Sequence, residues 1–94
     1  MAGYWIVRGS IRDKAAFEEY NRLWQPIAKR YGATFLAPGK RHETREGKDY
    51  DRVVIVEFPS FEQAVACYDD PDYKAALEPA MRAYDRELTI VEGG

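Results

Sequence analysis

The sequence predicts an α+β domain: a βαββαβ sandwich whose four-stranded antiparallel sheet carries two helices on one face. Three observations point there. Stretches with strand character alternate with stretches of helical apolar spacing in that order. The two clearest strands each divide into a wholly apolar set and a mixed set, as in a sheet covered by helices on one side only. The chain has 94 residues, 46% of them hydrophobic and 14% aromatic, which fits one domain over residues 1–94 with too small an interior to bury two sheet faces alone.

The first strand is YWIVRGSI, residues 4–11, rich in β-branched and aromatic types and closed by the polar pair Arg12 and Asp13. Asp13 is placed to cap a helix whose stripe is Phe17, Tyr20, Trp24, Ile27 and Tyr31, ended by Gly32. Pro26 falls opposite that stripe, so it bends the helix toward solvent without breaking it. Residues 33–40, ATFLAPGK, form a weaker second strand that Pro38 confines to an edge or terminates. A charged hairpin follows with its turn at Gly47, and the third strand begins at Arg52. Ser60 opens the capping sequence S-F-E-Q of the second helix. Asp69, Asp70 and Pro71 interrupt that helix, but Asp70 can cap a new turn with Pro71 at its first position, and the apolar spacing continues to Tyr84. The fourth strand is ELTIVEG, residues 87–93.

Two crossovers put both helices on one face and the first and third strands at the centre, read as running in the same direction. Trp5, Val7 and Ile11 then lie under the helices with Val54, Val56 and Phe58. The open face carries Tyr4, Ile6, Ser10, Val53 and Ile55, with Arg8 and Glu57 near the same ends of neighbouring strands. Such a patch calls for a cover, and a second copy of the sheet is the economical one.

The segments GYWIVRGSI, YGATFLAPG, DRVVIVEFPSFEQAVACYDDPDYKAAL and LTIVEG together resemble domain-of-unknown-function family 1330, within the dimeric α+β barrel superfamily. The resemblance implies a ferredoxin-like protomer that pairs with its twin through the open sheet face. Relatives in that superfamily include cofactor-independent monooxygenases, isomerases and dehalogenase-like enzymes as well as proteins of no known activity. The chain departs from the family pattern around the second strand, with Gly32 and Ala33 for paired glycines and Pro38 for an arginine. In the second helix Ala80 stands near the usual arginine, with Arg82 two residues on.

Two places qualify as a site. In the barrel interior, Glu57 with Arg8 is a candidate acid or base, joined by His42 if the hairpin folds over, and Tyr4, Ile6, Ser10, Val53 and Ile55 would line the space. The competing reading makes Arg8 and Glu57 a structural ion pair in the dimer interface. In the cleft between helix and sheet, Tyr20, Trp24 and Tyr73 would hold a planar organic molecule, although most aromatics on helix stripes are core. The two functional readings are a barrel that binds and transforms a small organic molecule without a cofactor, and a non-enzymatic ligand-binding or structural barrel.

Other classes find little support. The single histidine, His42, has no ligand-spaced Cys, Asp or Glu around it, so no metal is expected. Nucleotide cofactors are not expected either, because no phosphate loop or G-x-G-x-x-G is present. The element order also occurs in RNA-recognition domains, but their stacking aromatics are replaced by Val53 and Ile55, with Glu57 beside them. Net charge is −2, divided between a basic half (residues 1–50, ten basic against six acidic) and an acidic half (residues 51–94, four against ten). One cysteine, Cys67, cannot close an intramolecular disulfide, and no apolar run approaches membrane-spanning length, so a cytoplasmic protein is expected.

Overall fold

In the computed structural model, which describes residues Met1–Gly94, the elements are β1 (Gly3–Ile11), α1 (Lys14–Arg30), β2 (Thr34–Ala37), β3 (Arg52–Phe58), α2 (Phe61–Asp69), α3 (Pro71–Ala83) and β4 (Tyr84–Glu92). The strands form one sheet in the order β2-β3-β1-β4. All neighbouring pairs are antiparallel.

The direction of β3 corrects the sequence reading. A βαβ crossover makes β1 parallel to β2, and the chain then reverses into β3. β1 and β3 therefore run in opposite directions. Ile6 faces Ile55, Tyr4 faces Glu57 and Arg8 faces Val53.

The alternation along the strands holds. Trp5, Val7, Val56 and Phe58 are buried beneath the helices with Tyr20, Trp24 and Ile27 from α1 and Tyr73, Ala76 and Ala80 from α3. Trp5 is at the centre, its ring stacked on Trp24 at 4.9 Å and its Nε1 donating to the Ala64 carbonyl at 2.9 Å, which ties β1 to α2.

Helix ends follow the expected signals. Asp13 accepts from the Ala16 N–H at 3.1 Å, and Gly32, with φ of 69°, takes the left-handed conformation that stops α1. Pro26 is exposed and α1 runs through it. Ser60 caps α2 by accepting from the Gln63 N–H at 3.1 Å. The interruption at Asp70 divides the second helical segment into α2 and α3, and Pro71 begins α3 where a missing N–H costs nothing.

Asp70 does more than cap. It accepts from the Asp72 N–H at 2.8 Å, the Tyr31 hydroxyl at 2.6 Å and Arg30 at 2.9 Å, so it fastens the end of α1 to the start of α3. The Tyr31 hydroxyl, then the Asp72 N–H and Arg30, hold its carboxyl below the usual range. A lowered folded pKa means that the unfolded chain takes up the proton first on acidification. The stabilisation is thus fully present above about pH 5, fades as pH falls through the unfolded value of about 3.9, and is gone below the folded pKa. Asp70→Asn keeps the cap and removes the titration, so urea midpoints should show a flatter acid limb than wild type; parallel limbs would contradict this.

Candidate functional site

The barrel-interior residues do not assemble as one constellation. Since β1 and β3 are antiparallel, Arg8 and Glu57 lie toward opposite ends of the sheet, and no ion pair joins them. Arg8 instead pairs with Glu87 at 3.5 Å and donates to the Lys48 carbonyl at 2.7 Å. Glu57 accepts from the Tyr4 hydroxyl at 3.1 Å, and that bond raises the Tyr4 pKa, with burial and the carboxylate charge adding to it.

The segment between β2 and β3 folds over the Arg8 end of the open face. Tyr50 is 4% exposed there, its ring under the Arg8 guanidinium at 5.1 Å and its hydroxyl donating to Glu87 at 2.7 Å. His42 Nε2 donates to the Tyr50 carbonyl at 2.9 Å, and the Ser10 hydroxyl accepts from the Asp51 N–H at 3.1 Å. His42 and Ser10 therefore fasten this segment, far along the strands from Glu57. Tyr4, Ile6, Val53 and Ile55 are half-buried on the open face.

A concavity lies on the other side of the sheet, between α1 and strands β2, β3, β1 and β4. A cavity of about 70 Å³ bordered by Trp5, Trp24, Tyr20 and Tyr84 adjoins an outer one of about 300 Å³ bordered by Gln25 and Pro38. Phe17, Asn21, Phe35, Arg52 and Val54 border both parts, so they form one cleft. Of the three residues the sequence placed here, Tyr20 and Trp24 line it, while Tyr73 lies behind, its hydroxyl 2.8 Å from that of Tyr20.

Arg52, Arg86, Gly9 and Asn21 were not among the expected site residues. Arg52 had a signal: it is in step with Val54, Val56 and Phe58 on the helix side of β3. Arg86 was hidden because α3 passes into β4 at Tyr84 without a loop, so the strand begins earlier than its Glu87 start in the sequence reading.

Arg86 donates to Tyr73 Oη at 3.0 Å and Tyr20 Oη at 3.4 Å, and its guanidinium stacks over the Tyr20 and Tyr84 rings at 5.3 and 5.2 Å. Burial, then the neighbouring Tyr73, push the Tyr20 hydroxyl well up despite Arg86, and burial also raises Tyr73. Both phenols are neutral at neutral pH and acidic residues are missing from the lining, so the cleft is aromatic with a net positive interior. Cys67 is fully buried, and burial followed by the Asp70 charge pushes its thiol up to about 12, which keeps it a thiol. No three His, Cys, Asp or Glu side chains gather as a metal site, and no helix is long and apolar enough to cross a membrane.

Solved structures share the fold. A protein of unknown function from Rhodopseudomonas palustris superposes with a TM-score of 0.80 at 21% identity, over 99% of this chain and 82% of that one. A dimeric protein of unknown function and ferredoxin-like fold from Bacteroides fragilis gives 0.63 at 12% identity, over 98% of this chain and 96% of its own. SnoaB, described as a cofactor-independent oxygenase from Streptomyces nogalater, also gives 0.63 at 12% identity, over 99% and 93%. No curated protein is recognisably similar in sequence. The family model described as a domain of unknown function, DUF1330, matches residues 2–94, and the chain belongs to that family.

Proposed function

We propose that this protein is a homodimeric α+β barrel that binds a small organic molecule in the helix–sheet cleft of each protomer. The observation that carries this is the cleft itself. Its walls are mostly aromatic and aliphatic, its polar groups are few and convergent, and its outer part is open to solvent, as small-molecule sites usually are. The ferredoxin-like protein from Bacteroides fragilis described as dimeric supports the assembly, and the likeness in fold to SnoaB supports a small-molecule role. The barrel-interior alternative has less behind it, because Arg8, Glu57 and His42 are engaged with separate partners.

Both tryptophans of the chain line the cleft, so intrinsic fluorescence reports on its occupancy. Titration with 2-naphthamide and 2-naphthoate should quench that fluorescence saturably. Val54→Phe, which adds a ring to the cleft wall, should weaken binding of either probe at least about fivefold while leaving the circular dichroism spectrum unchanged. Absence of saturable binding by both probes, or equal binding by the folded Val54→Phe variant, would show that the cleft is ordinary core packing.

A further inference from the structure

We propose that the cleft selects organic anions, planar carboxylates above all, and that Arg86 and Arg52 receive the carboxylate. This deepens the small-molecule reading above and rests on it. The basis is a row of three residues across the sheet. Gly9 of β1 is directly paired with Arg52 of β3 on one side and with Arg86 of β4 on the other. All three face the helices, so two arginines flank a position that has no side chain.

Gly9 is required for that arrangement. A Cβ there would stand 2.7 Å from the Arg86 Cβ and 3.2 Å from the Tyr84 ring, so any larger residue would displace the side chains that shape this end of the cleft. The two guanidiniums converge on Tyr84. Arg52 donates to its hydroxyl at 3.4 Å, and Arg86 lies over its ring.

Neither arginine has a carboxylate partner. Arg52 is held by the Tyr84 hydroxyl, the Pro38 carbonyl at 3.2 Å and the face of Phe17 at 5.3 Å. Arg86 has only the two neutral phenols and two aromatic faces. Shortage of acids is not the reason, since the chain has sixteen against fourteen Lys and Arg. Elsewhere Arg30 takes Asp70 and Asp72, and Arg82 takes Glu19 and Glu78.

Half-buried cations are normally neutralised by a partner, and a guanidinium matches the two oxygens of a carboxylate in its own plane. Each guanidinium has five N–H donors and spends two on the protein, which leaves donors for a ligand. The aromatic walls suit the apolar body of such a ligand, with Trp24 and Phe35 in edge-on contact at 6.3 Å beside it. A small, fully hydrated anion would gain from the arginines but nothing from those walls.

The test compares 2-naphthoate, its neutral counterpart 2-naphthamide, and inorganic phosphate as a competitor, all read by tryptophan fluorescence. Wild type should bind the carboxylate at least about tenfold more tightly than the amide, and phosphate should compete poorly. Arg52→Gln and Arg86→Gln should each weaken the carboxylate about tenfold or more and the amide less than about twofold, with Arg86→Lys intermediate. If Arg86→Gln does not fold, the probe selectivity of wild type and the Arg52→Gln variant carry the test. Equal binding of acid and amide by wild type overturns the anion inference and leaves the cleft as a neutral pocket. Losses common to both probes in the glutamine variants assign the arginines to structure and overturn it as well. Phosphate competing as well as naphthoate overturns the organic part, and binding of neither probe overturns the cleft reading together with this one.

Discussion

Trp5→Ala should lower stability by about 3–5 kcal/mol, the range for deleting a large aromatic from a packed core. Trp5 is 1% exposed, stacked on Trp24 and in edge or tilted contact with Phe58, Tyr68 and Tyr73 at 5.1–5.9 Å. The rings around it belong to four different elements, Trp24 to α1, Phe58 to β3, Tyr68 to α2 and Tyr73 to α3, so no single shift lets them close on an alanine. The substitution also removes the donor to the Ala64 carbonyl, a buried contact whose acceptor is then short of a partner. For a domain of this size each kcal/mol moves the midpoint by about 4–8 °C, so thermal unfolding should begin at least roughly 12 °C earlier. Trp5→Phe retains the stacking and loses the N–H, and it should cost much less. Denaturant melts of the two variants separate packing from hydrogen bonding. A Trp5→Ala loss under about 1 kcal/mol would mean that the core collapses around the site and that Trp5 is not its keystone.

What was legible in the sequence was local. The spacing of Tyr20, Trp24 and Ile27 gave the buried stripe of α1, and the alternation of Trp5 and Val7 against Tyr4 and Ile6 gave the two faces of β1. Asp13, Ser60 and Asp70 were readable as caps because their short side chains reach the first free N–H groups of a helix wherever the chain turns into one. Strand direction is not local. One reversal between β2 and β3 decides whether Arg8 meets Glu57 or Val53, and it left the supposed ion pair at opposite ends of the sheet. The cleft was only half visible for a similar reason. Tyr20 and Trp24 announced themselves by periodicity, whereas Arg52 and Arg86 become neighbours through Gly9, which joins strands distant in sequence. Arg86 was further masked because Tyr84 continues the helical spacing of α3 while already belonging to β4.

On the proposal that two copies pair through the open sheet face, Ile55→Asp should shift the protein from dimer to monomer at micromolar concentration. The chain is a slab of 31 × 30 × 16 Å, and its helix-free face has no covering layer beyond the segment at the Arg8 end. Ile6 and Ile55 sit opposite each other on the two central strands, with Tyr4 and Val53 flanking them, so an apolar patch occupies the middle of that face. The face is broad enough for the roughly 800 Å² per partner that stable interfaces bury, and apolar burial at about 25 cal/mol per Å² supplies the drive once association costs are met. An aspartate at its centre would be half-exposed and hydrated in the monomer but desolvated and unpaired in the dimer. That difference of about 3 kcal/mol or more weakens association by at least about two orders of magnitude. The variant should keep the wild-type circular dichroism spectrum, because Ile55 points away from the core formed by Trp5, Val56 and Phe58. Sedimentation of both proteins across a concentration series measures the shift. A monomeric wild type, or an Ile55→Asp variant that remains dimeric with unchanged affinity, would remove the open sheet face as the dimer interface and leave its apolar centre in need of a different partner.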